Sequence, residues 1–244
     1  MDRKKHYKKQ LTYFDREFSA IKDYKLAPWQ ESYVKKIKEH LLDKSFKKKT
    51  LLDIATGSGY IAIEMAQLGM NVIACDLSPQ AIKNLEKYKK KFKLKNLKLI
   101  TCKAEEIPLK DESVDYIVAN AILEHIPEEE ATISEWKRVL KKNGKMLITV
   151  PLKYRYVWPF FWLINYIHDK RIGHLRRYDY PTLYKKFGLK IHKHSYTGHL
   201  VKVLGAILSI IFKVSKYDSH YEKIDEKYEN RRYGASNISV IFKK

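Results

Sequence analysis

Apolar positions along the chain fall into short runs that alternate with helically spaced stripes. Residues 28–43, PWQESYVKKIKEHLLD, set Trp29, Tyr33, Ile37 and Leu41 on one helical face, with Pro28 suited to a first turn. TLLDIA (50–55) then reads as a strand, YIAIEMAQLG (60–69) as a helix closed by glycine, and NVIACD (71–76) as a second strand. PQAIKNLEKYKKKF (79–92) reads as a helix with Pro79 in its first turn, and NLKLITC (96–102) and SVDYIVAN (113–120) as strands. EEEATISEWKRVLKKNG (128–144) is expected to form one helix, because its leading acids and trailing bases match the helix dipole. KMLITVP (145–151) is the next strand. This β-α-β-α-β-β-α-β order predicts an α/β fold, a doubly wound sheet with helices on both faces. There is no internal repeat.

The chemistry concentrates where the first strand ends. In LLDIATGSGYIAIEMA (51–66) an apolar run carries one acid, Asp53, before a small-residue turn that opens a helix. Such a turn aims backbone N–H groups at a ligand, and Gly57 and Gly59 permit close approach. Asp76 ends the next strand, 19 residues after Gly57. An acid there commonly takes the ribose hydroxyls of a nucleotide. GSGYIA alone would also suit a dinucleotide. Asp53 discriminates, because a carboxylate beside the turn repels a pyrophosphate and attracts a cation. S-adenosylmethionine offers an adenosine for Asp76 and a positively charged amino-acid end for the Asp53 region.

These blocks resemble the class I S-adenosylmethionine-dependent methyltransferases, in particular the group that includes the quinone-biosynthesis C-methyltransferases. LLDIATGSG resembles that family's glycine-rich motif, CDLSPQAI its second-strand motif, and CKAEEIPLKDESVDYIVANAILEHIPE its long third motif. The resemblance covers about residues 28–151. It implies a seven-stranded Rossmann-like sheet whose last strand is antiparallel, with NISVIFKK (237–244) as the candidate, and an apolar insert after strand five. It implies that Ala55, Gly57 and Gly59 face the methionine part of the cofactor, with Asp53 supporting its amino group. Asp76 would bind the ribose and Leu77 would flank the adenine. Ala104 and Glu105 would reach the adenine edge, and Asn120 would face the cofactor from the end of the fourth strand. There are two departures: Ala55 stands where the family often has Gly, and Lys103 where it often has an Asp that accepts from the adenine amino group. Lysine only donates. His125, in LEHIPE, falls near the expected transfer site and is a candidate base, although the family often has this histidine without that use.

The remaining chain should choose the acceptor. Tyr156 to Ile167 is an uncharged aromatic stretch, read as a substrate lid or as a surface dipping into lipid headgroups, with a buried core insert as the bland alternative. GHLRRY (173–178) resembles a block found in many methyltransferases of this group. Its His174, Arg176, Arg177 and Tyr178 are candidate substrate-binding residues, with paired arginines able to grip a phosphate or carboxylate, or else pairing with local acids such as Asp179. HLVKVLGAILSIIFKVSK (199–216) is too interrupted to span a bilayer but suits an interfacial helix flanked by lysines, or a packed helix. The chain reads as one domain over 1–244: a helical cap over 1–45, a cofactor-binding core over 46–151, and substrate-facing or membrane-facing inserts at 152–178 and 196–236.

Charge widens the choice. The 49 Lys and Arg against 28 Asp and Glu give +21, which favours phosphates or anionic membrane surfaces unless the lysines are simply solvated. Cys75 and Cys102 sit in apolar runs without disulfide or zinc spacing, so neither a disulfide nor a metal is expected. The start, MDRKKHYKKQ, has no signal-peptide core, which reads as cytoplasmic, with peripheral membrane contact through 156–167 and 199–216. A small-molecule or lipid-linked acceptor is the leading expectation. An RNA methyltransferase is the alternative that the charge raises, although the fourth strand ends in NAIL and no RNA-binding module is recognisable. A non-catalytic nucleotide-binding adaptor is the third.

Overall fold

The computed structural model describes residues 2–21, 23–200 and 218–244. Helices α1 (Arg3–Ser19) and α2 (Pro28–Lys36) precede the sheet, α2 running on into a π-helical turn, Ile37–Leu41. Then come β1 (Thr50–Ile54), α3 (Tyr60–Gln67), β2 (Asn71–Asp76), α4 (Pro79–Lys91), β3 (Leu97–Thr101), β4 (Val114–Asn120), α5 (Glu129–Val139) and β5 (Leu140–Pro151). The chain finishes with α6 (Trp162–Ile172), α7 (Tyr180–Phe187), β6 (Lys190–Thr197), a helix α8 (Asp218–Lys227) and β7 (Asn237–Lys243). The seven strands lie in the order β3-β2-β1-β4-β5-β7-β6. β7 is antiparallel to both of its neighbours, as NISVIFKK was expected to be, and the other pairs are parallel.

Strand side chains alternate between faces. In β1, Leu52 and Ile54 join a core with Trp136 of α5 and Phe187 of α7. Leu51 instead joins Ile61 and Met65 of α3, Leu85 of α4, and Ile37 and Leu41. Asp53, two residues after Leu51, therefore points toward the α3 side, at the lip of that second core. Between β1 and β4 the chain reverses direction across the sheet, the place where doubly wound folds bind ligands.

One expected boundary differs. The helix read over 128–144 stops at Val139, and Leu140 is already extended and paired with Val114. Full burial of Leu140 against the sheet outweighs helix continuation through Lys141 and Lys142. The freed carbonyls of Lys137 and Leu140 accept from the Lys244 ammonium at 2.9 and 2.8 Å, a contact that no local pattern reveals. The edge strand β6 was not read from KIHKHSYT at all. The segment expected as an interfacial helix over 199–216 lies, except for His199 and Leu200, outside the described residues. Among the described residues, no helix is long and apolar enough to cross a membrane.

Candidate functional site

The turn between β1 and α3 is built from left-handed residues. Ala55 (φ 54°), Gly57 (φ 53°) and Gly59 (φ 78°) all have positive φ. Gly59 opens α3, where a Cβ would meet Leu85 Cδ1 at 1.6 Å, so its missing side chain lets α3 and α4 pack closely. Asp53 lies beneath this turn, 1% exposed, and its Oδ2 accepts from the Thr56 hydroxyl at 2.6 Å. Burial pushes its carboxyl up to about 7 against the opposing pull of that bond.

Asp76 closes β2 with both oxygens engaged. Its Oδ2 accepts from Gly57 N–H and its Oδ1 from Ser78 N–H, each at 2.8 Å. The two bonds fix the carboxylate across the turn and leave lone pairs for further donors. Burial raises its pKa against the opposing pull of these same backbone bonds. Helix α1 then crosses above. Ser78 Oγ donates to Asp15 in a short hydrogen bond, and Asn84 Nδ2 donates to the Phe18 carbonyl at 2.8 Å. Tyr7 donates to Glu105 Oε1 at 2.6 Å, and burial followed by that carboxylate raises the phenol's pKa strongly.

A half-open cavity of about 340 Å³ lies between α1 and the strand ends. Ala55, Gly57, Asp76, Leu77, Ala104, Glu105 and Asn120 line its floor, and Tyr7, Leu11, Phe14 and Phe18 of α1 form its roof. Asn120 Nδ2 donates to Tyr60 Oη at 3.1 Å. Glu105 Oε2 is buried without a hydrogen-bond partner. A second cavity of about 500 Å³ meets the first at Trp29, Asn120 and Ala121. It is more polar, bordered by Tyr33, His40, Thr149, Lys193 and Glu226.

A family model described as a methyltransferase domain matches residues 45–157, the segment carrying β1 to β5 and the cavity floor. The match supports a class I S-adenosylmethionine-dependent methyltransferase domain over these residues. S-adenosylmethionine is the cofactor of such domains. The chloroplastic 2-methyl-6-phytyl-1,4-hydroquinone methyltransferase of Arabidopsis thaliana is 28% identical over 188 residues, covering 75% of this chain and 53% of that protein. The ubiquinone biosynthesis O-methyltransferase of Pelagibacter ubique is 36% identical over 120 residues, 49% of each chain. The chain spans about half the length of the curated relatives it matches. Phosphoethanolamine N-methyltransferase 2 of Haemonchus contortus, solved with S-adenosyl-L-methionine, superposes with a TM-score of 0.66 at 18% identity, over 88% of this chain and 52% of that one. That likeness shows the shared fold.

Within this methyltransferase domain, the residues expected at the cofactor are brought together with two exceptions. Asp53 and Gly59 do not line the cavity: Asp53 acts from below through Thr56, and Gly59 serves helix packing. Lys103 borders the cavity and pairs with Glu106 at 3.4 Å. His125 is on the wall, 5% exposed. Burial, then His174 and His6, pushes its imidazole down to about 3, so the ring is neutral at physiological pH.

The GHLRRY residues behave differently from an open anion grip. Arg177 Nε and Nη2 donate to Asp169 at 2.6 and 2.8 Å, and its Nη1 donates to the Leu152 carbonyl at 3.0 Å. Arg176 donates to the Ile126 carbonyl at 2.7 Å, Tyr178 is buried and donates to the Leu123 carbonyl, and His174 Nδ1 donates to Asp169 at 2.8 Å. None of the four lines either cavity. The partner acid is Asp169 rather than Asp179, which pairs with Lys153 and Arg155. The roof of α1 was missed, yet its signal was present: Tyr7, Leu11, Phe14 and Phe18 recur at helical spacing inside a basic segment.

Proposed function

We propose that the protein transfers a methyl group from S-adenosylmethionine to a small lipid-linked or quinone-like acceptor at a membrane surface. The observation that carries the reading is the Asp76 carboxylate, held by Gly57 and Ser78 N–H groups at the wall of the cavity beneath α1. That acceptor pair suits a ribose diol. Ala55 and Gly57 bring backbone close to the donor's amino-acid end, Asp53 adds negative charge beneath it, and Leu77, Ala104 and Glu105 border the adenine side. Asn120, tied to Tyr60, sits where the two cavities meet. The volume lies within the range of small-ligand sites. S-adenosylmethionine supplies an electrophilic methyl group on a sulfonium. The chain's part is to exclude water beneath α1 and to hold the acceptor in line, and positioning of this kind can supply much of the rate.

The acceptor enters through the second cavity in this reading. Quinone-type chemistry is favoured by the printed names of the relatives, which concern a hydroquinone and ubiquinone biosynthesis. A membrane surface is favoured by α6. Phe160, Leu163, Ile164, Tyr166 and Ile167 are all more than half exposed. Next to α6 lies α1, whose Gln10 donates to the Ile172 carbonyl at 2.8 Å and whose Arg3, Lys4, Lys5, Lys8 and Lys9 are exposed. An apolar patch bordered by cations fits an anionic bilayer face. The free thiols of Cys75 and Cys102 favour the cytoplasmic side.

Calorimetry against S-adenosylmethionine, S-adenosylhomocysteine and NAD tests the donor. Binding of the first two and not the third is expected, and Asp76→Ala should weaken it at least tenfold. Incubation with the methyl-labelled donor and separated lipid, RNA and small-molecule extracts tests the acceptor. Label in RNA would replace the lipid reading, and donor binding with no label in any fraction would favour an adaptor.

A further inference from the structure

We propose that Glu124, His125 and His174 bind one divalent transition-metal ion. Glu124 and His125 sit in a single 3-10 turn, Leu123–His125, just after β4. His174 follows Gly173, whose left-handed backbone ends α6. The backbone ties the two segments together, because Leu175 N–H donates to the Glu124 carbonyl at 2.8 Å. Each of the three residues offers one ligand atom, and these atoms lie within 4.8 Å of one another. Glu124 Oε1 and His174 Nε2 are 3.7 Å apart. Around a tetrahedral ion with bonds of about 2.0–2.1 Å, ligand atoms stand about 3.3 Å apart, so the cluster needs closing by about 1.5 Å at its widest pair.

The surrounding chemistry is that of a cation-ligand set. Glu124 is fully buried, and neither of its oxygens has a hydrogen-bond partner. His125 Nδ1 is buried and partnerless as well. Asp169 accepts from His174 Nδ1, which in the neutral ring leaves Nε2 as a lone pair facing Glu124. A carboxylate behind a ligating histidine is the usual way that a metal site fixes tautomer and orientation. The nearby cation does not fill the need. Arg177 gives Nε and Nη2 to Asp169 and Nη1 to the Leu152 carbonyl. Arg177 spends its hydrogen bonds on Asp169 and Leu152 and acts on Glu124 only through space, so no cation is hydrogen-bonded to Glu124. An unpaired buried carboxylate is costly, and a bound cation removes the cost. Two imidazoles and a carboxylate suit zinc, iron(II) or manganese(II). His125 also borders the 340 Å³ cavity, so the ion would tie the turn after β4 to the GHLRRY segment beside the methyl-transfer chamber.

Metal binding is read without methyl donor, so its outcome is separate from that of the function proposed above. The full chain is stripped with a chelator and titrated with cobalt(II) chloride and with zinc chloride. One equivalent per chain is expected, with visible cobalt bands and a higher melting temperature in zinc. Glu124→Gln and His174→Ala should each lose at least tenfold in affinity and lose the bands. X-ray absorption on the zinc-loaded natural protein gives a readout that needs no variant, and two imidazoles with one carboxylate are expected. The proposal is overturned if the natural protein takes up no stoichiometric metal. It is equally overturned if both variants bind unchanged, or if the zinc shell has another composition.

Discussion

The Phe18 ring rests on Gly57: its Cζ lies 3.3 Å from the point that a Cβ on Gly57 would occupy. The roof of the cavity is thus fitted to the glycine of the β1–α3 turn, and the cover and the turn pack as one unit.

Phe18→Ala should loosen that unit without unfolding the sheet. Donor affinity is expected to fall about tenfold, or about 1.4 kcal/mol. Proteolytic cleavage within α1 should become faster. Calorimetry and limited proteolysis read the two effects, and unchanged affinity with faster cleavage would separate the roof from donor binding.

Ala55 holds a left-handed backbone, φ 54°, that glycine adopts without strain. Ala55→Gly should relieve about 1 kcal/mol of local strain and raise the melting temperature by a few degrees. Thermal melts check this. Donor affinity should hold or improve, because the turn geometry is kept.

Asp53 gives a pH dependence with a definite sign. Its folded carboxyl titrates at about 7, against about 4 in an unfolded chain. Between these values the folded state keeps a proton that the unfolded state has released. Stability of the donor-free protein therefore falls as pH rises from about 4 to about 7. Asp53→Asn removes the titration while the Thr56 hydroxyl keeps an acceptor. The variant should be more stable than the natural protein near pH 8, with the gap narrowing toward pH 4, and should bind the cationic donor more weakly. Melting curves across that range check the stability, and a variant less stable near pH 8 would reject the assignment.

Leu163, Ile164 and Ile167 are 68%, 62% and 58% exposed, so replacing all three by serine should leave stability nearly unchanged. Co-sedimentation with phosphatidylglycerol vesicles should drop at least tenfold. Added salt should weaken the natural protein's binding through the basic face of α1. Equal sedimentation of the two proteins would remove the membrane from the proposal.

The sequence made the sheet legible because β1, β2 and β4 are short apolar runs set off by turns, and β7 because NISVIFKK is apolar at a distance from any helix pattern. Gly57 and Asp76 were legible for the same reason, since strand-end chemistry is local. Contacts between distant segments were not. The end of α5 depends on Lys244, the fate of Arg177 on Asp169 and Leu152, and the isolation of Asp53 on a hydroxyl that a turn folds over it. The unpartnered Glu124 oxygens follow from burial, which a polar LEH triplet does not announce.

Helix α1 meets the rest of the protein through distant partners: Ser78, Glu105, His125 and Ile172 all lie more than 60 positions from the residues that touch them. Among the described residues none of these bonds is to a β-strand residue, so the proposed donor chamber is covered by one helix whose undocking would leave every strand pairing in place.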